Sequence, residues 1–272
     1  MKTLKQNPLI SVIIPTHNAE TTIERCLMSV LGQEYQNIEV ICCDDCSTDN
    51  TVDLLKRIAK SDKRVKVLVN DQNMRAAYTR NRCIFESTGE FIAQIDDDDY
   101  CAKDRFLIQL EFLLNNQFDM VGSGAFYYDE NGVWGKTNFD VGFAPEKKDF
   151  IHGSVFMNPT MMYKAGALKK VGGYRVSKET RRGQDYDLHM RLYANGFRGY
   201  VIPNRIVYYY RGKNSYPKCK FRYKIDEVKI RYKNFKQLGL LPKYFIYTLK
   251  PILSGLISAR IKDFFRRKAR KL

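Results

Sequence analysis

The sequence contains no uninterrupted apolar run of about 18 residues, the length at which a helix becomes a candidate for crossing a bilayer. Its opening residues, Met1–Pro8, are polar, and the apolar segment Leu9–Pro15 is too short for the core of a secretory signal peptide. We therefore expect a cytoplasmic protein in which the 7 cysteines remain reduced.

Several motifs that identify enzyme classes are also missing. The chain has neither a G-x-x-x-x-G-K-[S/T] phosphate loop nor a G-x-G-x-x-G turn, which disfavours P-loop and nicotinamide-dependent enzymes. Its 3 histidines are scattered and suggest no Ser–His or Cys–His nucleophile. Cys43 and Cys46 form a C-x-x-C pair, but the two aspartates between them disfavour the thiolate that redox and zinc chemistry need.

Acidic residues are scarce in the last part of the chain. The formal net charge is +16, and from Lys218 to Leu272 basic residues greatly outnumber acidic ones, whereas most acidic clusters lie before residue 190. Nucleic acid and an anionic membrane surface are both candidate partners for such a basic end. The apolar fraction of 44% is sufficient for a globular core.

Four short apolar runs alternate with helical patterns in the first 115 residues. The runs predict strands at Leu9–Ile14, Ile38–Cys43, Val65–Val69 and Phe91–Ile95, of which the first and the fourth are expected to be buried. The helical patterns lie at Ala19–Leu31, Thr51–Lys60, Ala76–Glu86 and Lys103–Asn115. This alternation predicts an α/β fold, a doubly wound, mostly parallel sheet with helices on both faces.

The second half of the chain is less regular. It predicts a hairpin of Phe126–Tyr128 with Gly132–Trp134, helices at Met161–Val171 and Asp185–Ala194, strands at Tyr200–Ile202 and Arg205–Tyr210, and helices at Phe221–Leu238 and Tyr244–Ala259. We expect a catalytic domain over residues 1–215, with its two halves divided at 115/116. A basic amphipathic helical extension is expected over residues 216–272.

The four consecutive carboxylates Asp96–Asp99 directly follow the fourth predicted strand. Ligands bind beyond the carboxyl ends of the strands in such sheets, and polar clusters follow the first three strands as well. Adjacent carboxylates repel one another unless a cation or solvent relieves them, and they suit a hard divalent ion. The alternative is a solvated loop or a set of caps for the next helix, but four acids exceed what capping needs.

Two other acidic positions carry weaker signals. Asp44-Asp45 ends the second strand, where a carboxylate could accept hydrogen bonds from a nucleoside or simply cap a helix. Asp185 opens a predicted helix, where it could act as a general base or as a cap, with Asp187 pairing to Arg191. The local residues alone favour the cap for Asp185.

Taken in order, these motifs resemble the family 2 glycosyltransferases, which have the GT-A fold. The similar segments are Ser11–Asn18, Cys26–Leu31, Asn37–Ile41, Asp44–Thr51, Arg80-Asn81, Asp96–Asp99, Gly172–Tyr174 and Asp185–Leu188. The sequence departs from the family pattern at Cys46, Arg75 and Cys83, which replace small residues, and at Gln184, which replaces the usual glutamate. The basic segment 211–215 lacks the usual histidine.

The resemblance implies a role for each matching residue. Asp185 corresponds to the proposed catalytic base. The residues expected to bind the nucleotide sugar are Pro15, Thr16, Asn18, Asp45, Arg80, Asp96, Asp97 and Arg211. Within this set, Thr16 and Asp45 would hold the base and ribose, and Arg211 would close over the diphosphate. Asp96, Asp98 and the adjoining Asp99 would hold Mn²⁺ or Mg²⁺.

The resemblance therefore implies an inverting glycosyltransferase. Its expected donor is a UDP-sugar, and its expected acceptor is a saccharide or lipid-linked saccharide used in polysaccharide synthesis. We expect the C-terminal segment to bind anionic membrane, which would place the protein peripherally on the inner face of the cell membrane, and we expect no nucleic-acid partner. Two alternatives remain open here, a nucleotidyltransferase of similar architecture and a non-catalytic basic nucleic-acid-binding protein.

Overall fold

A computed structural model describes residues 7–212 and 221–255. Its strands are β1 Ile10–Thr16, β2 Ile38–Asp44, β3 Val65–Val69, β4 Phe91–Gln94, β5 Tyr100–Cys101, β6 Met120–Asp129, β7 Gly132–Lys136, β8 Met162–Lys164 and β9 Gly199–Tyr210. Its α-helices are α1 Ile23–Leu31, α2 Thr51–Ser61, α3 Ala76–Glu86, α4 Arg105–Asn115, α5 Ala165–Lys170, α6 Gln184–Ala194, α7 Phe221–Gln237 and α8 Lys250–Gly255.

The strands form one mixed sheet in the order β3-β2-β1-β4-β8-β6-β9-β5, with β7 paired to the far end of β6. The first four strands are parallel, as the alternating pattern predicted. Strand β8 pairs antiparallel with both β4 and β6, and it thereby joins the first half of the chain to the second. The carboxyl ends of β1, β2 and β4 meet at one edge of the sheet.

Two apolar cores cover the two faces of this sheet. Val12 and Ile14 of β1 face one core with α1, α2 and α4, whereas Ile13 faces the other with α3, α5 and α6. Successive side chains of a strand point to opposite faces, so a strand buried on both sides is apolar throughout. The predicted sheet with helices on both faces is thus confirmed.

The segment Met161–Val171 differs from its predicted single helix. Met162–Lys164 is a strand, and the helix covers only Ala165–Lys170. Met162 and Tyr163 are buried on opposite sides of the sheet, so their packing between β4 and β6 outweighs the helical spacing of the sequence.

Strand β9 is continuous, although two strands were predicted around Pro203-Asn204. Its pairing with β6 shifts register near Ser123 and Gly124, opposite that interruption. An irregularity of this kind accommodates a proline, which cannot donate to the ladder. The predicted hairpin is present as the antiparallel pair β6–β7.

The C-terminal part packs on the domain as far as it is described. Ile230 and Phe235 of α7 belong to the same apolar core as α6. The predicted helix Tyr244–Ala259 begins instead as a 3₁₀ turn at Phe245–Thr248, followed by α8, and the rest of it lies outside the described residues. The predicted boundary between residues 215 and 216 also lies outside them. Within residues 7–212 and 221–255, no helix is long and apolar enough to span a membrane.

Candidate active site

Two adjoining cavities lie at the sheet edge where the polar clusters were predicted. The first, of about 510 Å³, is lined by Thr16, Asp45 and Asp96–Asp98, and we call it the Asp45 cavity. The second, of about 680 Å³, is lined by Asp185, Tyr209 and Arg211, and we call it the Asp185 cavity. Four residues border both cavities, namely Arg80, Asp96, Arg181 and Arg182.

The acidic run forms the turn after β4 and does not cap a helix. Strand β5 separates the run from α4, and the N-cap position of α4 is Asp104. Asp97 accepts a hydrogen bond of 2.9 Å from the backbone N–H of His17. Burial and the neighbouring carboxylates raise the pKa of Asp97 to about 7 and that of Asp98 to about 6. The nearby Arg80 and Arg25 lower the pKa values of Asp97 and Asp98, respectively, but they do not offset burial and the neighbouring carboxylates.

Arg80 and Asp96 form an ion pair at the boundary between the cavities. The Nη2 of Arg80, on α3, lies 2.7 Å from Oδ1 of Asp96. Although only 7% of Arg80 is exposed, its Nε and Nη1 atoms have no hydrogen-bond partner. Buried guanidinium N–H groups are normally satisfied, so these atoms are available to an anionic or hydroxyl-bearing ligand.

Asp99 has different surroundings from the other three acids. It is fully buried, does not line either cavity, and accepts a 2.8 Å hydrogen bond from the backbone N–H of Tyr210. Burial, reinforced by Asp98 and Asp96, raises its pKa well above the usual range. This hydrogen bond holds β9 against the acidic turn, and the predicted contact of Asp99 with a metal stays a prediction.

The acidic run fits a divalent cation with few protein ligands. Among the described residues, no group of three His, Cys, Asp or Glu side chains is arranged to hold a metal ion. Asp96 and Asp98 line the same cavity, and burial together with repulsion from Asp96 raises the pKa of Asp98, an effect that a bound cation would oppose. A Mg²⁺-type site commonly uses one or two carboxylates, with the remaining positions taken by water and substrate phosphates.

Asp45 organises one wall of the Asp45 cavity. Its carboxylate accepts hydrogen bonds of 2.7 Å from Asn70 Nδ2, 2.7 Å from the Met74 N–H and 2.8 Å from the Arg75 N–H. Arg75 has a φ of 73°, a left-handed conformation that explains why small residues are usual at this position. Asp45 thus fixes the loop between β3 and α3, and its contact with a nucleoside stays a prediction.

The end of β1 borders the same cavity through Pro15 and Thr16, and His17 at the start of the following loop borders it as well. Thr16 donates to the carbonyl oxygen of Cys43 at 3.4 Å, which joins this loop to β2. Asn18 does not line the cavity. Its N–H donates to Ser47 Oγ at 2.8 Å and its Oδ1 accepts from the Thr48 N–H at 2.9 Å, so it supports the loop from behind.

Asp185 lies in the first turn of α6, beside the Asp185 cavity. Gly183, with a φ of 86°, occupies the N-cap position, and no side chain caps this helix. The cap interpretation favoured by the local sequence therefore does not describe the structure. Burial raises the pKa of the Asp185 carboxyl, while the first N–H groups of the helix and Arg80 partly counteract that effect.

Asp187 faces away from the cavity, as its spacing to Arg191 predicted. Its fully buried carboxylate lies 2.8 Å from Arg191 Nε and 3.3 Å from Arg175 Nη1, and it accepts a 2.8 Å hydrogen bond from Asn234 Nδ2 of α7. These contacts fix the start of α6, and hence the position of Asp185. The two acids of this turn consequently have separate tasks.

Arg211 follows the end of β9 and lies between aromatic rings. Its guanidinium carbon is 5.2 Å from the ring centre of Tyr127 and 5.9 Å from that of Tyr209. All three residues border the Asp185 cavity. The structure thus brings the predicted diphosphate-binding arginine to the cavity that holds the predicted base.

Several polar lining residues were not predicted as site residues. His17 and Asn73 border the Asp45 cavity, and His17 Nε2 lies 3.3 Å from Asn73 Nδ2. Arg181 and Arg182 border both cavities, and Tyr223 of α7 borders the Asp45 cavity. Only their chain positions after predicted strands could have indicated His17 and Asn73, and no local pattern indicates Arg181, Arg182 or Tyr223.

Comparison with known proteins decides the family. The model of Glycosyl transferase family 2 matches residues 11–172, which is more than half of the chain. The chain belongs to this family. The nucleotidyltransferase and nucleic-acid-binding alternatives are not favoured. Asp185, α6 and α7 lie beyond the matched residues.

Two relatives extend this family assignment. The Bacillus subtilis protein described as putative glycosyltransferase EpsE is 32% identical over 267 residues, which cover 97% of this chain and 95% of EpsE. An Escherichia coli protein, the UDP-Glc:α-D-GlcNAc-diphosphoundecaprenol β-1,3-glucosyltransferase WfgD, is 37% identical over 128 residues. That second similarity covers 47% of this chain and 50% of WfgD.

Solved structures share the fold at low sequence identity. S. aureus TarS in complex with UDP-GlcNAc has a TM-score of 0.71 at 20% identity, over 93% of this chain and 77% of the TarS chain. The mannosyltransferase PcManGT from Pyrobaculum calidifontis, in complex with GDP-Man and Mn²⁺, has a TM-score of 0.61 at 17% identity. The latter similarity covers 97% of this chain and 80% of PcManGT. The expected fold class of this glycosyltransferase is thereby confirmed.

Proposed function

We propose that this family 2 glycosyltransferase transfers a sugar from a UDP-sugar to an acceptor hydroxyl, with inversion at the anomeric carbon. The observation that carries the proposal is the meeting of two cavities at the Arg80–Asp96 pair. The Asp45 cavity would hold the nucleotide, and the Asp185 cavity would admit the acceptor. The transferred sugar would then lie at the boundary, with a carboxylate available on the acceptor side.

Asp185 would act as the general base. An acceptor hydroxyl is a poor nucleophile at neutral pH, so its proton must leave as the new bond to the anomeric carbon forms. The oxygen–anomeric carbon bond forms on one face of the sugar while the bond to the diphosphate breaks on the other. The proton passes to a carboxylate oxygen of Asp185, and Arg80 and Arg211 stabilise the leaving diphosphate.

Asp96 and Asp98 would hold Mn²⁺ or Mg²⁺. A divalent ion bound there would neutralise charge on the leaving diphosphate. The few protein carboxylates at the site leave coordination positions for phosphate oxygens, which makes metal and donor binding mutually dependent. Asp97 is tied to the His17 N–H and would support the donor loop.

The acceptor would be a saccharide or lipid-linked saccharide, and the protein would serve polysaccharide synthesis. Similarity to WfgD, whose name describes a diphosphoundecaprenol-linked acceptor, supports this class of acceptor. The Asp185 cavity is also bordered by Arg181, whose charge suits an acceptor that carries phosphate.

A thermal-shift panel of nucleotide sugars with Mn²⁺ tests the donor assignment. A ligand that binds only the native state raises the melting temperature by an amount that grows with its concentration relative to Kd. We expect UDP-sugars to stabilise the protein when Mn²⁺ is present and to have little effect in EDTA. Stabilisation by a nucleoside triphosphate alone, with no response to any nucleotide sugar, would argue for nucleotidyl transfer instead.

The basic C-terminal part would hold the protein on the anionic inner face of the cell membrane. On α7 the exposed residues Phe221, Ile225 and Tyr232 share one helical face, and several exposed lysines surround them. The final residues carry a further basic set at Arg260, Lys262, Arg266, Arg267, Lys268, Arg270 and Lys271. Each basic residue near an anionic surface contributes about 1 kcal/mol to membrane binding.

Vesicle sedimentation measures this association. We expect the full chain to pellet with vesicles rich in phosphatidylserine and much less with phosphatidylcholine vesicles. Replacing the seven final basic residues by glutamine should abolish most pelleting and leave the melting temperature unchanged. This variant keeps the contact between Lys250 Nζ and the His152 carbonyl, at 2.9 Å, that a truncation at Tyr244 would remove. Equal pelleting of both proteins would refute the membrane proposal.

A further inference from the structure

We infer that α7 completes the donor site: Tyr223 holds Arg182 in position to bind the diphosphate of the nucleotide donor. This inference rests on the proposed function and assigns it a residue from a helix beyond the family-matched part of the chain. Tyr223 lines the Asp45 cavity together with Thr16, Asp45 and Asp96–Asp98. Helix α7, which was expected only as part of an extension from the domain, thus contributes to a wall of the Asp45 cavity.

The contact between Arg182 and Tyr223 is the first supporting observation. The guanidinium carbon of Arg182 lies 5.5 Å from the centre of the Tyr223 ring, within the range of a cation–π interaction. Arg182 is otherwise an exposed side chain with many accessible rotamers. Packing against the ring restricts those rotamers at the cavity wall, so less conformational entropy is lost when the guanidinium binds an anion.

The charge balance at the boundary is the second observation. Among the described residues, neither Arg181 nor Arg182 forms an ion pair with a carboxylate, whereas Arg80 is paired with Asp96. Both arginines border the two cavities, where the bond between sugar and diphosphate would break. A planar guanidinium matches two phosphate oxygens at once, which suits Arg182 to the diphosphate.

The third observation is the way in which α7 is fixed. Asn234 of α7 donates to Asp187 at 2.8 Å, and Arg231 Nη1 donates to the Ile151 carbonyl at 3.0 Å. Ile230 and Phe235 are buried in the core shared with α6. The helix is therefore held firmly to the element that carries Asp185, and it presents Tyr223 at a defined place beside the 3₁₀ turn Glu179–Arg181.

Calorimetric titration with UDP in the presence of Mn²⁺, using the full chain, tests the inference. Arg182→Gln should weaken UDP binding about 10-fold or more, because a charge-assisted hydrogen bond is lost. Tyr223→Ala should weaken it by about 3- to 10-fold, within the range of one cation–π contact, whereas Tyr223→Phe keeps the ring and should bind UDP as the wild type does. Uridine, which lacks the diphosphate, should bind all four proteins equally.

Kinetic measurements and a matched control variant distinguish a positioning role of Tyr223 from a purely structural one. Tyr223→Ala should raise the KM for the donor more than it lowers kcat. Arg222→Gln, a neighbouring change in α7 whose side chain lies 3.9 Å from Asp226 and does not line either cavity, should leave UDP affinity unchanged. Equal UDP binding by the wild type and all variants would overturn the inference and leave the proposed function intact. Failure of the wild type to bind UDP would overturn both.

Discussion

Asp185→Asn should reduce turnover by about 10²- to 10⁴-fold, the usual loss when a general base is removed. The melting temperature and the donor affinity should stay close to the wild-type values. Asparagine has nearly the same shape, and Asp185 neither caps α6 nor lines the Asp45 cavity. The comparison requires initial rates of nucleoside diphosphate release, a thermal melt and a UDP titration on the same preparation.

Asp187→Asn is the matched control, because it changes the other acid of the same helical turn. Its carboxylate is buried between Arg191 and Arg175, so loss of the charge should lower the free energy of unfolding by about 3 kcal/mol. We therefore expect Asp185→Asn to be stable but nearly inactive, and Asp187→Asn to have a lowered melting temperature. If Asp185→Asn instead melted early and kept its specific activity, the base would lie elsewhere.

Asp98→Asn should abolish Mn²⁺-dependent UDP binding and lower turnover by about 100-fold or more, because a bound metal ion contributes several kcal/mol of charge stabilisation. Removing one of the two proposed ligand carboxylates leaves Asp96, which is already paired with Arg80. Titration of Mn²⁺ in the presence of UDP measures the loss. EDTA should inactivate the wild type to a similar degree.

Asp99→Asn provides the control for this second prediction. Asp99 is fully buried, and its raised pKa favours the neutral acid, which asparagine resembles in shape and charge. The amide oxygen of asparagine can still accept the hydrogen bond from the Tyr210 N–H. We expect metal affinity close to that of the wild type. Loss of Mn²⁺ binding in this variant would show that Asp99 is a metal ligand. Full activity of the wild type in EDTA would show that the reaction needs no metal ion.

The first half of the fold was predictable because its signals are local. Strands β1 and β2 are mostly apolar and buried, as expected where a parallel sheet is covered on both sides, whereas the edge strand β3 is partly exposed. Each of the three strands is followed by a helix. The carboxyl ends of these strands and of the parallel strand β4 share one edge of the sheet, which is why Asp45 and Asp96–Asp98 border one cavity. Strand β8 was not predictable, because its pairing with β4 and β6 depends on long-range contacts.

In the candidate site too, local sequence signals were predictable and long-range contacts were not. The two acids of the first turn of α6 have similar local sequences, yet Asp187 is enclosed by arginines and Asp185 lines a cavity. The spacing to Arg191 predicted one contact of Asp187, but its contacts with Arg175 and with Asn234 of α7 depend on packing between distant parts of the chain. Tyr223 likewise lies far along the chain from every other residue of the Asp45 cavity except Arg181 and Arg182, so no motif could assign it.

The anomeric configuration of the released sugar tests the central claim most directly. Proton NMR can follow slow hydrolysis of an α-linked UDP-sugar by the wild-type protein with Mn²⁺, at early times before the free sugar mutarotates. With Asp185 activating water on the face opposite the diphosphate, we expect the β-anomer to appear first and UDP to be released in equal amount. Early appearance of the α-anomer would contradict the account, because retention would require chemistry on the donor face that Asp185 does not supply.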